Sequence, residues 1–182
     1  AEFLAWWIAE GYDTVAKKKF RYIVYRVTLG DRAEMEELRN LIDRIETKTC
    51  STHSKKAIQP NAKRKTWWMC FANIHLTQAL AQCGWLPNKR SAQKSIPDTI
   101  LSADEEAVAR FLRRYFEADG SASKEVEVTS ASKELIEQLN FLLRRLGIWG
   151  FIRKKRKCAL NGKRIYRDYW QIVLSSESLP IF

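Results

Sequence analysis

The chain has 182 residues, with 32 Lys and Arg against 21 Asp and Glu and a net charge of +11. This length can bury a substantial core, either as one domain or as two halves of roughly 90 residues. The positive charge points to a polyanionic partner, and nucleic acid is the class that best fits clustered Lys and Arg. No signal-peptide pattern and no apolar run of membrane-spanning length occurs, and the cysteines form no CxxC pair, so we expect an intracellular protein that is neither secreted nor membrane-embedded.

Residues 2–10 are strongly apolar and predict a helix that ends in Ala9-Glu10-Gly11. A strand is predicted over residues 20–29, where Tyr22, Val24, Arg26 and Thr28 alternate with Ile23, Tyr25, Val27 and Leu29. An amphipathic helix is predicted over residues 33–45. The polar and basic segment 46–66 is predicted to be a hairpin whose tip reaches the nucleic acid. Residues 67–71 then form a strand, residues 74–83 a short helix ended by Gly84, and residues 85–95 a linker.

The same order of elements is predicted in the second half of the chain. Ser102 and the acids after it are typical of a helix start, and apolar residues recur at three- and four-residue steps as far as Phe116. Asp119 continues that apolar face, and Gly120 allows the chain to turn out of the helix. A strand over residues 126–129 and a helix over residues 133–146 follow. Strands over residues 149–156 and 164–174 are joined by an Asn-Gly tight turn.

The two halves repeat one pattern. Ala9-Glu10-Gly11 matches Ala118-Asp119-Gly120, and each half is predicted to run helix, two strands, helix and two strands. A carboxylate on an otherwise apolar face is costly unless it serves a site. The repeat therefore predicts a mixed α/β fold of two αββαββ halves, residues 1–90 and 91–182, the first closed by an extra helix.

These residues resemble the LAGLIDADG homing endonuclease family over about residues 2 to 176. The second acid-ended helix is a close match to the family's motif, and the first is a variant in which Glu10 is the acid. Two further segments resemble those that precede and follow the second motif in inteins. They are Lys94-Ser95-Ile96-Pro97 and Ser130 to Leu135.

The resemblance implies a metal-dependent, site-specific DNA endonuclease that cuts both strands of a long target. The two motif helices would pack along a pseudo-twofold axis, the antiparallel sheets would form a DNA-binding saddle, and the chain would be a monomer on double-stranded DNA. Glu10 and Asp119 would then be catalytic carboxylates that hold Mg²⁺ (or Mn²⁺), and Lys94 would be a catalytic basic residue near the scissile phosphate. The chemistry is consistent, because hard cations prefer carboxylate and phosphate oxygens and because two adjacent carboxylates repel unless a cation lies between them.

The basic residues lie mainly in predicted strands and in the loops that join them, which is the polarity expected of a sheet laid on DNA. The residues that we expect to contact DNA are Lys17, Lys18, Lys19, Arg21, Lys55, Lys63, Arg64, Lys65, Arg153, Lys155, Lys157, Lys163 and Arg164.

Two departures from the family pattern bear on activity. Arg114 occupies a position where the family usually has glycine, whereas its partner in the first motif, Ala5, is small. The region that would carry a second-half counterpart of Lys94 is missing from this sequence.

Alternative functions stay open. One is a non-cleaving relative that acts as an RNA maturase or DNA-binding module. Another is a structural repeat whose basic strands bind polyanions without specificity. A zinc site is a further alternative, with Cys50, His53, Cys70 and His75 as its ligands. We favour a core role for Cys70 instead, because it lies in an apolar strand. The sequence leaves open whether the parent is an intein, an intron-encoded protein or a free-standing enzyme.

Overall fold

The computed structural model describes residues 1–17, 21–49, 55–85, 89–122, 124–158, 166–180 and 182. It divides into two compact units, Glu2–Asn88 and Lys89–Phe182, with Ala1 grouped with the second. We call them the N-terminal and C-terminal units and describe each by itself.

The N-terminal unit runs in the order α1 (Glu2–Glu10), β1 (Gly11–Lys17), β2 (Arg21–Leu29), α2 (Arg32–Thr49), β3 (Ile58–Asn61), β4 (Thr66–Phe71) and α3 (Ile74–Gln82). Its four strands form an antiparallel sheet in the order β1-β2-β4-β3. Pro60 lies in β3, an edge strand, where the missing N–H breaks no ladder in the sheet interior. The core is aromatic: the Trp7 ring meets the ring of Tyr25 edge-on at 5.0 Å, and Tyr25 stacks on Phe71 at 5.2 Å.

The C-terminal unit begins with a short extra helix, α4 (Asp98–Leu101), and then repeats the order of α1 to β4 as α5 (Glu105–Asp119), β5 (Gly120–Ala122), β6 (Val126–Ser130), α6 (Lys133–Arg145), β7 (Gly150–Cys158) and β8 (Tyr166–Leu174). Short 3₁₀ helices cover Ser91–Gln93 and Ser176–Ser178. The sheet order is β5-β6-β8-β7, again antiparallel. Leu135 and Leu139 of α6 and Ile172 of β8 are buried in its core. Both units therefore have the αββαββ order, and the predicted mixed α/β fold class is confirmed.

The predicted end of α2 is wrong. The helix continues to Thr49 instead of ending at residue 45, so residues 46–49 do not belong to the predicted hairpin, whose first described strand is Ile58–Asn61. Glu46 continues the buried row of Met35, Leu38 and Ile42 at a helical spacing, and it is fully buried. Its Oε2 lies 2.6 Å from Nζ of Lys56, whose side chain is 3% exposed. The local pattern assigns this polar residue to a loop because its ion-pair partner lies ten positions away.

The predicted cap of α5 is also wrong. Ser102 ends α4, where its hydroxyl donates to the Asp98 carbonyl at 2.8 Å. Asp104 is the residue that caps α5, since its Oδ1 accepts from the backbone N–H of Ala107 at 2.7 Å. Both residue types favour N-caps, so composition alone cannot rank two candidates that are two positions apart.

The chain leaves the helix at Gly120 in an extended conformation, since its φ is −83° and β5 begins at this residue. The need for glycine is steric. A Cβ on Gly120 would lie 2.3 Å from the Phe116 carbonyl oxygen, and one on Gly11 would lie 2.5 Å from Cδ2 of Trp7. In both units the glycine lets a strand leave the helix end close to the residue four positions back.

The other predicted elements are present with ends shifted by up to two residues. The Asn-Gly turn at residues 161–162 lies outside the described residues. Within the described part of the chain, no helix is both long enough and apolar enough to span a bilayer.

Candidate functional site

The two acids singled out by the repeat occupy equivalent places in their own units. Glu10 is the last residue of α1 and is half-buried, and Asp119 is the last residue of α5 and is exposed. In each case the next residue is a glycine that opens the edge strand of that unit's sheet. Each carboxylate therefore lies at the junction of a helix with a sheet edge. The meeting of the two carboxylates stays a prediction.

Asp119 has a perturbed carboxyl group. Partial desolvation raises the pKa of Asp119 above its usual value, while a hydrogen bond from Tyr115 and the positive charge of Lys94 act in the opposite direction. The Tyr115 hydroxyl donates to Oδ2 of Asp119 at 3.3 Å. The structure thus brings Asp119 and Lys94, which the sequence separates by 25 positions, within electrostatic reach of each other.

Lys94 is fixed through its backbone to the start of α6. The hydroxyl of Ser132, which is 1% exposed, donates to the Lys94 carbonyl at 2.7 Å and accepts from the backbone N–H of Leu135 at 3.2 Å. Two residues further on, the backbone N–H of Ile96 donates to Oε1 of Gln138 at 2.6 Å. Sequence reasoning finds the segments around Lys94 and Ser132 separately. It misses that Ser132 and Gln138 of α6 hold the backbone of the segment that contains Lys94.

A divalent metal fits this donor set only with help from other ligands. Among the described residues, no group of three or more His, Cys, Asp and Glu side chains is placed to hold a metal ion. A cation held by Glu10 or Asp119 would therefore complete its coordination with water and substrate oxygens, which is how Mg²⁺ commonly binds. The exposed, partly desolvated carboxylate of Asp119 suits that role.

The zinc pattern finds no support in the described residues. The core role favoured for Cys70 is wrong: it lies half-buried on β4, on the sheet face opposite Met69 and Phe71, where its Sγ accepts a hydrogen bond from Nε of Arg26 at 3.0 Å. His75 lies in the first turn of α3. Cys50 and His53 lie outside the described residues.

The predicted DNA contacts fall into three groups. Lys63, Arg64 and Lys65 form the exposed β3–β4 turn, and Lys55 is exposed just before β3. Arg153 and Lys155 lie on β7 and face Glu125 at 3.5 Å and Glu127 at 3.8 Å; such exposed pairs hold the cations weakly and leave them available to phosphates. The backbones of Lys17, Arg21 and Lys157 lie on strands, and Lys18, Lys19, Lys163 and Arg164 lie outside the described residues.

Sequence reasoning misses one cation on a sheet face, Arg26. Arg26 lies on β2, opposite Tyr12 of the neighbouring strand β1 and opposite Cys70 of the other neighbour, β4. Its guanidinium carbon lies 5.9 Å from the centre of the Tyr12 ring and 5.3 Å from that of Trp68. The alternation of β2 could have found it, since Arg26 lies between Tyr25 and Val27, which are both fully buried.

Arg114 is held along its own helix. Its Nη1 lies 3.1 Å from Oε2 of Glu117, and the Arg114 side chain is 17% exposed. The equivalent Ala5 in α1 is completely buried. The bulky residue that departs from the family pattern is therefore partly neutralised by a neighbour one turn away.

A cavity of about 780 Å³ opens beside α5, lined mainly by apolar residues that include Leu112, Phe116, Ile148 and Phe182. Neither Asp119 nor Lys94 lines it. The cavity is therefore separate from the candidate catalytic residues.

Comparison with known proteins supports the family resemblance. Residues 106–182 match the model of the LAGLIDADG-like domain. The chain is 27% identical over 181 residues to an A-type ATP synthase protein of Pyrococcus abyssi, and 32% identical over 156 residues to a DNA polymerase of Thermococcus litoralis. The matches cover 98% and 81% of this chain but only 16% and 8% of those relatives.

Solved structures share the fold. The structure of I-DmoI in complex with DNA and Ca superposes with a TM-score of 0.67 at 16% identity, covering 97% of this chain and 82% of that one. The I-AabMI meganuclease bound to uncleaved DNA gives a TM-score of 0.54 at 14% identity, covering 99% and 82%. Two further similar structures are I-DmoI in complex with DNA and Mn, and an I-DmoI variant in complex with its target DNA in the presence of Mg.

Proposed function

The chain has the LAGLIDADG homing endonuclease fold, and from this premise we propose that it is a site-specific endonuclease for double-stranded DNA that works as a monomer inside the cell. The observation that carries the proposal is the placement of Asp119. It is the terminal acid of a motif helix, it is partly desolvated, and the charge of Lys94 acts on it. The DNA complexes of the structural relatives support the choice of substrate.

Phosphodiester hydrolysis needs an activated water, neutralisation of the negative charge on the phosphoryl oxygens and help for the departing oxygen. Asp119 and Glu10 would hold Mg²⁺ or Mn²⁺, which polarises water and neutralises phosphate charge when bound. Lys94 would stabilise the charge that develops on the phosphate, from a position fixed by Ser132. The exposed turn of Lys63, Arg64 and Lys65 would hold the DNA backbone without reading its sequence.

The range of relatives supports an embedded, mobile module, as in an intein. Proteins as unlike as an ATP synthase, a translation initiation factor and a DNA polymerase share this segment, and in each it covers a small part of the length. A shared segment in functionally unrelated proteins is best explained by insertion into their genes. Sequencing the flanks of the gene tests this, because the reading frame should continue on both sides into one host protein.

The functional test is cleavage of a randomised long-site DNA library with Mg²⁺, and then with Ca²⁺. We expect cutting at one long site with Mg²⁺, and we expect Asp119→Asn to abolish cutting while binding survives. Lys63→Gln is a matched control, since this exposed cation should weaken binding at all sequences alike and lower its salt dependence.

The second candidate is a non-cleaving relative that binds DNA or RNA. The observation that favours it is Arg114, which occupies a usually small position in the motif helix. Specific DNA binding without cutting by the wild type and by Arg114→Gly would move the assignment to a DNA-binding module. Preference for a structured RNA would move it to a maturase.

A further inference from the structure

The strand registers make positions in the two sheets equivalent one by one. In the N-terminal unit, Gly11 pairs with Val27, and in the C-terminal unit, Gly120 pairs with Val128. Both glycines follow the terminal acid of a motif helix. The residues that precede the two valines therefore occupy equivalent positions in the two sheets. They are Arg26 in the N-terminal unit and Glu127 in the C-terminal unit.

Both positions face away from the buried side of their sheets. Val27 is fully buried and Val128 is 1% exposed, so their neighbours along the strand lie on the opposite face. Arg26 is exposed, and Tyr12, which pairs with it, is 51% exposed. The Glu127 side chain is 26% exposed. A nucleic acid lying on this face of either sheet would meet these side chains.

The chemistry of the two positions is opposite. Arg26 presents a cationic donor fork that is held in place: its Nε donates to Sγ of Cys70 at 3.0 Å, and its guanidinium lies over the rings of Tyr12 and Trp68. A pre-oriented guanidinium suits two parallel hydrogen bonds to a planar acceptor. Glu127 presents an acceptor whose Oε2 lies 3.8 Å from Nζ of Lys155.

We propose that Arg26 is a specificity-determining residue that reads a guanine in the major groove, and that Glu127 reads a different base at the equivalent position of the other half-site. This inference rests on the proposed function. Arginine donates to O6 and N7 of guanine, whereas glutamate accepts from N4 of cytosine. Because Arg26 and Glu127 differ in chemistry, the two DNA base pairs that they contact should differ as well. The DNA target is then asymmetric there, although the two protein units share one fold.

The test is selection of bound sites from a randomised library in Ca²⁺, which does not require cleavage, followed by sequencing. The wild type should select a guanine at one position, and Arg26→Gln should lose that preference by roughly 5- to 150-fold while other positions keep theirs. Arg26→Lys should retain part of it, and melting curves check that each variant is folded. Glu127→Gln should change one position in the other half-site only.

Arg32→Gln is the matched control. Its guanidinium also lies over a tryptophan, Trp67 at 5.2 Å, but it belongs to α2 and pairs with Glu36 at 3.1 Å. Its selection profile should equal that of the wild type. A folded Arg26→Gln that weakens binding to all sequences alike overturns the inference and leaves the proposed function standing. A wild type with no sequence preference refutes the proposed function itself.

Discussion

Ser132 joins the start of α6 to the backbone of Lys94, and its replacement by alanine removes both of these hydrogen bonds. Ser132→Ala removes the N-cap of α6, which costs about 1 kcal/mol, and the hydrogen bond to the Lys94 carbonyl, which contributes about 1 kcal/mol. The expected loss in the free energy of unfolding is about 2 kcal/mol. Urea denaturation with an unchanged m-value measures it.

The same change should also slow cleavage, since Lys94 loses one of its backbone attachments. We expect the single-turnover rate to fall on the order of tenfold while the affinity for DNA is kept. Ser132→Thr, which keeps a hydroxyl, should restore most of both losses. The assay is run well below the melting temperature of the variant, so that unfolding does not contribute to the rate.

Asp104→Ala is the control, because it removes the N-cap of α5 without touching Lys94. It should cost about 1 kcal/mol and leave the cleavage rate unchanged. If Ser132→Ala destabilises the protein no more than Asp104→Ala does and cuts DNA at the wild-type rate, the bond to Lys94 has no measurable effect and the reasoning is refuted.

Three other changes test the structure elsewhere. Lys56→Met should cost about 3–5 kcal/mol in urea denaturation, because it leaves the carboxylate of Glu46 buried without its ammonium partner. Gly11→Ala should cost about 1–3 kcal/mol, because the added Cβ would overlap a buried ring. The hydrogen bond from Lys154 lowers the pKa of Asp168 below its ordinary value of 3.8, so an NMR titration should place its midpoint lower, and Lys154→Met should return the midpoint toward 3.8.

Each of these has an outcome that would contradict it. The double variant Glu46→Leu with Lys56→Met should recover most of the loss, and a single variant as stable as the wild type would mean that the pair is not buried. Gly30→Ala is the steric control, since a Cβ there meets nothing within 4 Å. For Asp168, the lowered pKa favours the folded state above the ordinary pKa, and this contribution disappears as the pH falls through the lowered value. Because Asp168 is exposed, the melting temperature should change little with this titration.

Much of the fold could be predicted from local patterns. The alternation of residues 21–29 and the three- and four-residue steps before Phe116 are each contained in one element, so they fix its type whatever lies around it. The acid-glycine endings at Glu10 and Asp119 stand out because the pattern occurs twice in one chain. Their steric reason, the close approach of each glycine to its own helix, required coordinates.

The order of most elements and the fold class follow from the sequence alone, because each local pattern is set by neighbours within a few positions, and the candidate acids follow from the repetition of one pattern in both halves. Coordinates were needed to show that Glu46 is a buried partner of Lys56, that Ser132 holds the backbone of Lys94, and that Arg26 and Glu127 occupy equivalent places on open sheet faces. The first two pairings join residues that are 10 and 38 positions apart in sequence. The cost of burying a charge and the geometry of a hydrogen bond depend on which side chains the folded chain brings together. A periodic sequence pattern does not show these long-range partners.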